Sequence, residues 1–180
     1  MKTRLLEQLE QQKANKLWRE LQATTASVGF DFARNDYLSL AKHPRVIAAM
    51  VKATEKYGTS AAAAQTIGGY NHEHAKLCAQ LTQITNTEAA CLFSSGFLAN
   101  LALLSTVANK DSTLILDRNC HASLVHGARH SRAKIKRYQS CDLTSLKTKL
   151  IDHSIVVTDT VFSMSGQIAP LAEISKLCKG

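Results

Sequence analysis

Two prolines and eight glycines in 180 residues exclude a collagen-like or low-complexity chain. No apolar run approaches the roughly 18 residues a membrane-spanning helix needs. The first twenty residues are charged and carry no apolar signal core, so export is not expected. No Cys-x-x-Cys occurs. The five cysteines, Cys78, Cys91, Cys120, Cys141 and Cys178, stand far apart, which argues against a zinc site or a disulfide framework. Reduced thiols in a cytoplasmic protein are expected. His72 and His74 are two residues apart and face different sides of a helix, so a two-ligand metal site is not expected. Gly-x-Ser-x-Gly is also missing, because Ser94-Ser95-Gly96-Phe97 lacks the first glycine. A hydrolase triad of Ser95, Asp159 and His121 or His153 would in addition run in the wrong chain order.

What is present suffices for one domain with a core: 45% of residues are hydrophobic. Net charge is +8, and its densest run holds Arg129, Arg132, Lys134, Lys136 and Arg137. A solvated strand edge and helix end explains that run most simply. Attraction of an anionic cofactor or acyl-coenzyme A ranks second. Nucleic acid ranks third, since Tyr138 alone supplies an aromatic for stacking.

Apolar spacing predicts an amphipathic N-terminal helix over 3–23, carrying Leu5, Leu6, Leu9, Leu17, Trp18 and Leu21. Phe30 and Phe32, then Asn35-Asp36-Tyr37-Leu38, read as a short strand and a turn. Pro44 opens a helix whose buried face holds Val46, Ile47, Met50 and Val51, and Gly58 ends it. Residues 59–69 are small and polar, and 71–85 read as helix. Strand and helix patterns then alternate. Strands are expected at 89–93, 113–116, 134–138 and 155–158; helices at 97–108, 121–130, 142–152 and 170–179. Strands joined through helices imply a three-layer α/β fold: a mostly parallel sheet with helices on both faces.

Two turns stand out. Ser95-Gly96-Phe97 lies between a strand pattern and a helix, where backbone N–H groups suit a phosphate. An ordinary capped turn is the competing reading. His121 heads the helix after Asp117, and a flat imidazole there suits stacking on a planar phosphorylated ring; a helix cap is its alternative. Asp159 follows a buried strand, at the carboxyl end where open α/β sheets place ligands. A hydrogen-bonded turn carboxylate reads equally well.

Together these motifs resemble the α-oxoamine synthases, which are pyridoxal-phosphate enzymes, and most closely the 8-amino-7-oxononanoate synthases among them. The resemblance runs from about Asn35 to the end of the chain. It is carried by Asn35-Asp36-Tyr37-Leu38, His43-Pro44, Gly69-Tyr70 with His74, Phe93 to Asn100, and Asp117 with His121-Ala122-Ser123-Leu124. Val161-Phe162-Ser163-Met164 and Ala169 to Ile174 complete it. It implies the large domain of the aspartate-aminotransferase type, incomplete here over 35–180, with 1–34 as an N-terminal helix and lead-in. It also implies a homodimer, a pyridoxal phosphate cofactor, and condensation of L-alanine with pimeloyl-CoA or pimeloyl-acyl-carrier protein with loss of carbon dioxide. Carried over by position, Ser95, Gly96 and Phe97 would bind the cofactor phosphate, and His121 would stack on the ring. Asp159 would stand at the family's glutamate position, and Ser163 would add a polar contact.

The chain departs from the family pattern in places. Alanines replace glycines in Ser60 to Thr66, and Thr66 replaces a basic residue. Cys78 stands for an acidic residue, and Asp159 is one methylene short of glutamate. Ser165 and Gln167 stand where acidic residues are common. The family's pyridine-pairing aspartate and Schiff-base lysine would lie past Gly180, so no catalytic residue is assigned and the chain alone is expected to be inactive. Two alternatives stay open: a non-catalytic partner subunit of a complete relative, and a small basic nucleic-acid-binding protein.

Overall fold

Residues 2–21, 23 and 34–179 are described by a computed structural model. The expected strand around Phe30 and Phe32 lies outside the described residues. The chain forms two compact units, residues 1–62 and 63–180.

In the first unit, helix α1 spans Lys2–Ala14. It is shorter than the spacing predicts. Lys16 takes a left-handed conformation (φ 56°), its N–H donates to the Lys13 carbonyl, and the Leu17 N–H donates to Gln12. That pair of bonds is a Schellman ending, here without the usual glycine. Leu17, Trp18 and Leu21 therefore lie beyond the helix. Asp36 organises the turn at 35–41, its carboxylate accepting the N–H of Leu40 at 2.8 Å. Helix α2 spans Pro44–Tyr57, capped by His43 and ended by Gly58 at φ 79°. The face expected to be buried is not buried within this unit: Val46, Ile47, Met50 and Val51 are all exposed. In the alanine-rich loop, Ala62 adopts φ 57°, where glycine would be unstrained.

The second unit begins with a short 3-10 turn, Gln65–Ile67, and helix α3, His72–Thr85. Asn71 and His74 form a capping box at the start of α3, which accounts for two polar residues of the motif region. Residues 89–93 form no strand. A strand needs a ladder partner, and none pairs with this segment among the described residues. Helix α4 is Gly96–Val107, strand β1 is Thr113–Asp117, and helix α5 is Ala122–His130. Strand β2 is Lys134–Tyr138, helix α6 is Leu143–Lys147, strand β3 is Ser154–Val157, and helix α7 is Leu171–Cys178. Helix α6 stops short of the expected 142–152, and the chain reverses into β3 through His153 at φ 57°.

The three strands are parallel, in the order β2-β1-β3. Strand β1 is central and buried throughout, which is why Thr-Leu-Ile-Leu-Asp shows no polar alternation. Leu114 and Leu116 pack with Leu104 of α4, with Ala108 just past its end, and with Leu124 and Ala128 of α5. Ile115 points the other way, into Tyr138, Leu146 of α6 and Ile174 of α7. The unit is thus three layers, with helices on both faces of the sheet.

Candidate cofactor site

Strand order places the site. The chain leaves β1 toward α5 on one face and leaves β3 toward α7 on the other. Between those carboxyl ends lies the switch point at which doubly wound sheets hold ligands. His121 follows β1 and Asp159 follows β3. The Asp159 carboxylate accepts the backbone N–H of His121 at 2.6 Å, across 38 residues of sequence. The two expected site residues are therefore joined.

Asp117 supports this corner from beneath. It is fully buried, and its carboxylate accepts the N–H of Asn119 at 2.9 Å and of Cys141 at 3.1 Å. One side chain thereby fixes the loop after β1 and the loop after β2. Its neighbour across the sheet, Tyr138, is 2% exposed, and its hydroxyl lies near Thr158 and Asp117 without a hydrogen bond of good geometry. Burial, foremost, pushes the Tyr138 phenol up to about 12. Burial likewise pushes the Cys120 thiol up to about 11, against the lowering influence of Arg137.

The second expected element starts at the N-terminus of α4. Ser95 caps it, its hydroxyl accepting the Leu98 N–H at 3.2 Å. The N–H groups of Gly96 and Phe97 take no partner among the described residues, as first-turn groups of a helix do. A Cβ on Gly96 would meet nothing within 4 Å, so the backbone there is open to a ligand. Helices α4 and α5 pack closely because Gly127 has no side chain: a Cβ there would sit 2.9 Å from the Asn100 carbonyl. One turn into α4, the Asn100 amide donates to the Ser123 hydroxyl at 2.9 Å. Phe97 is half-exposed and lies against His126, ring centroids 5.8 Å apart. The cradle at Ser95 to Phe97 and the exposed His121 ring are thus carried by two packed helices. Ser163 is exposed in the loop closed by the Val161–Ile168 bridge and bonds to none of the other candidate side chains.

Open N–H groups at a capped helix start, and a histidine held by a carboxylate at the head of the helix packed against it, suit the phosphate and flat ring of pyridoxal phosphate. Asn100, Ser123 and Asp117 were not among the expected site residues. For Asn100 the signal was present: one amide stands alone in the apolar run from Phe97 to Leu104.

The chain is 40% identical over 156 residues to the 8-amino-7-oxononanoate synthase of Paraburkholderia xenovorans, covering 82% of this chain and 40% of that protein. It is 39% identical over 151 residues to that of Marinobacter nauticus, covering 82% and 38%. The chain therefore spans about two fifths of the length of these relatives. Among solved structures it matches the 8-amino-7-oxononanoate synthase of Francisella tularensis, with TM-score 0.73 and 32% identity over 81% of this chain and 41% of that one. It also matches a serine palmitoyltransferase of S. paucimobilis bound to a PLP–myriocin aldimine, with TM-score 0.76 and 34% identity over 80% and 37%. The parallel sheet with its helices is that of the fold-type I pyridoxal-phosphate enzymes. Residues 27–180 match the aminotransferase class I and II family, whose members depend on pyridoxal phosphate, and the chain belongs to that family.

Proposed function

We propose that residues 35–180 are part of the large domain of a pyridoxal-phosphate-dependent α-oxoamine synthase. The reaction is that of 8-amino-7-oxononanoate synthase in biotin biosynthesis. Its substrates are L-alanine and pimeloyl-CoA or pimeloyl-acyl-carrier protein, and the acting form is a cytoplasmic homodimer. The observation that carries this reading is the Asp159–His121 bond at the switch point, at the head of a helix packed against the one that starts with the open N–H groups of Gly96 and Phe97. Similarity to synthases named for this activity supports it over related acyl transfers.

When bound, the cofactor supplies an electron sink for bond changes next to an amino group. The residues of this chain bind and orient. Gly96 and Phe97 donate N–H groups to the phosphate, aided by the positive end of α4. His121 offers its exposed ring face to the cofactor ring. Asp159 fixes the backbone that carries that ring, and Ser163 offers a hydroxyl from the neighbouring loop. The uncovered apolar face of α2 supports association with a second copy.

The test has two arms. In the first, pyridoxal phosphate is titrated into the chain and into Gly96→Val and His121→Ala. The valine should obstruct the phosphate approach, and the alanine should cost about 1–3 kcal/mol of stacking. Equal affinity in all three would reject the site. In the second, thiol release from pimeloyl-CoA is followed with the full protein and L-alanine. Release with L-serine and a long-chain acyl-CoA, but not with this pair, would assign the other acyl transfer.

A further inference from the structure

His121, Ser123 and Asn100 form one hydrogen-bonded relay, and its polarity is fixed. The backbone N–H of Ser123 donates to His121 Nδ1 at 3.2 Å. A main-chain N–H can only donate, so Nδ1 bears no proton. The Ser123 hydroxyl lies 2.7 Å from the same Nδ1, and it must therefore donate as well. Having given its only proton to the ring, Ser123 Oγ needs a donor behind it. Asn100 supplies one: its Nδ2 donates to Oγ at 2.9 Å. Ser123 is fully buried, so water does not compete for the hydroxyl. Reversing the Asn100 amide would require Ser123 to donate to Oδ1 and Nδ1 to donate to Ser123. That would set a ring N–H against the Ser123 main-chain N–H. All three distances agree with one proton arrangement only.

We propose that Asn100 and Ser123 are positioning residues that hold the His121 imidazole as the tautomer protonated at Nε2 and fix its rotation about the side chain. This rests on the proposed placement of His121 at the cofactor ring. Two devices converge on His121: Asp159 holds its backbone, and the relay holds its ring. Gly127 lets α5 approach α4 closely enough for Asn100 to reach Ser123. The relay thereby couples the helix that carries the phosphate cradle to the ring that would cover the cofactor. A histidine acting only as a helix cap would need the Ser123 main-chain N–H alone. The side chains of Ser123 and Asn100 would then be indifferent.

The decisive substitution is Asn100→Asp, which keeps the shape and inverts the polarity. An aspartate accepts, so the Ser123 hydroxyl turns toward it, and Oγ becomes an acceptor facing Nδ1. Ser123→Ala removes the hydroxyl but leaves the main-chain cap. The experiment uses the full protein, labelled with 15N at histidine, and long-range 1H–15N correlation spectra recorded without cofactor. In the parent, His121 should give one pyridine-type resonance at Nδ1 and one pyrrole-type resonance at Nε2. In Asn100→Asp the Nδ1 signal should move away from its parent position, because the ring loses its hydroxyl donor and faces an acceptor instead. In Ser123→Ala the main-chain N–H still faces Nδ1, so the ring should stay protonated at Nε2 while the Nδ1 signal shifts through loss of its hydroxyl donor. Pyridoxal phosphate titration should show about 2- to 10-fold weaker binding in each variant, as expected for one hydrogen bond. An unchanged His121 spectrum in both folded variants overturns the inference. A parent spectrum already averaged, or protonated at Nδ1, overturns it as well. If Ser123→Ala does not fold, Asn100→Asp decides alone. Failure of the alanine and pimeloyl-CoA assay with the parent spectrum intact would count against the functional reading and not against the relay.

Discussion

The carboxylate of Asp159 and the backbone N–H of His121, 2.6 Å apart, join the loops that leave two neighbouring parallel strands. Bonds to a charged acceptor are roughly twice as strong as neutral ones. Asp159→Ala should therefore lower stability by about 1–3 kcal/mol and weaken pyridoxal phosphate binding, because the His121 backbone loses its anchor. Asp159→Asn keeps an acceptor without the charge and should lose about half as much. Urea denaturation and cofactor titration read the two effects. A full-strength cofactor site in Asp159→Ala would show that the loop after β1 holds its shape unaided.

Much of the second unit was legible because its signals are local. Leu114, Ile115 and Leu116 form a short apolar run, as a central strand buried on both faces must. The turns at Ser95 and His121 sit between strand or extended patterns and helices, and each of the two residues caps the helix that follows. The failures were non-local or lacked a marker residue. Residues 89–93 have strand composition, but a strand is defined by its neighbour, and none pairs with them among the described residues. The end of α1 is set by Lys16 in a left-handed conformation, and without a glycine nothing in the sequence marked it. The His121–Asp159 bond joins two motifs each visible alone, yet their meeting depends on the strand order β2-β1-β3. The departure of alanine-rich residues 60–66 from the family pattern was legible as well, and Ala62 does adopt the backbone conformation that glycine would favour.

Gly127 sets the distance between α4 and α5. A Cβ at this position would lie 2.9 Å from the Asn100 carbonyl and 3.1 Å from Leu104 Cβ, so one helix must move. Gly127→Ala should cost about 1–3 kcal/mol by overpacking, despite the better helix propensity of alanine. It should also lengthen the Asn100–Ser123 contact and weaken the cofactor site. Gly96→Ala makes the contrasting control, because its Cβ would point into open space. Thermal melts of the two variants should differ in sign or in size. Equal stability in both would mean that the helices separate without cost.

Tyr138 and Cys120 make the fold sensitive to alkali. Tyr138 is held neutral up to about 12, against an ordinary value of 10.0, and Cys120 up to about 11, against 9.0. Burial is the first cause in both. Because the folded values lie above the unfolded ones, the unfolded chain releases these protons first as pH rises. Their contribution to stability is full below pH 9 and is lost progressively as pH rises through about 11 and 12. Denaturation midpoints measured from pH 7 upward should be flat at first and then fall. Cys120→Ala should remove the earlier part of that fall, and Tyr138→Phe the later part. The phenylalanine has a second effect. The Tyr138 hydroxyl is buried without a hydrogen-bond partner, so its removal should raise stability at neutral pH by about 1 kcal/mol. A loss of stability in Tyr138→Phe at pH 7 would instead show that the hydroxyl makes a productive bond with Asp117 or Thr158, the polar side chains beside it.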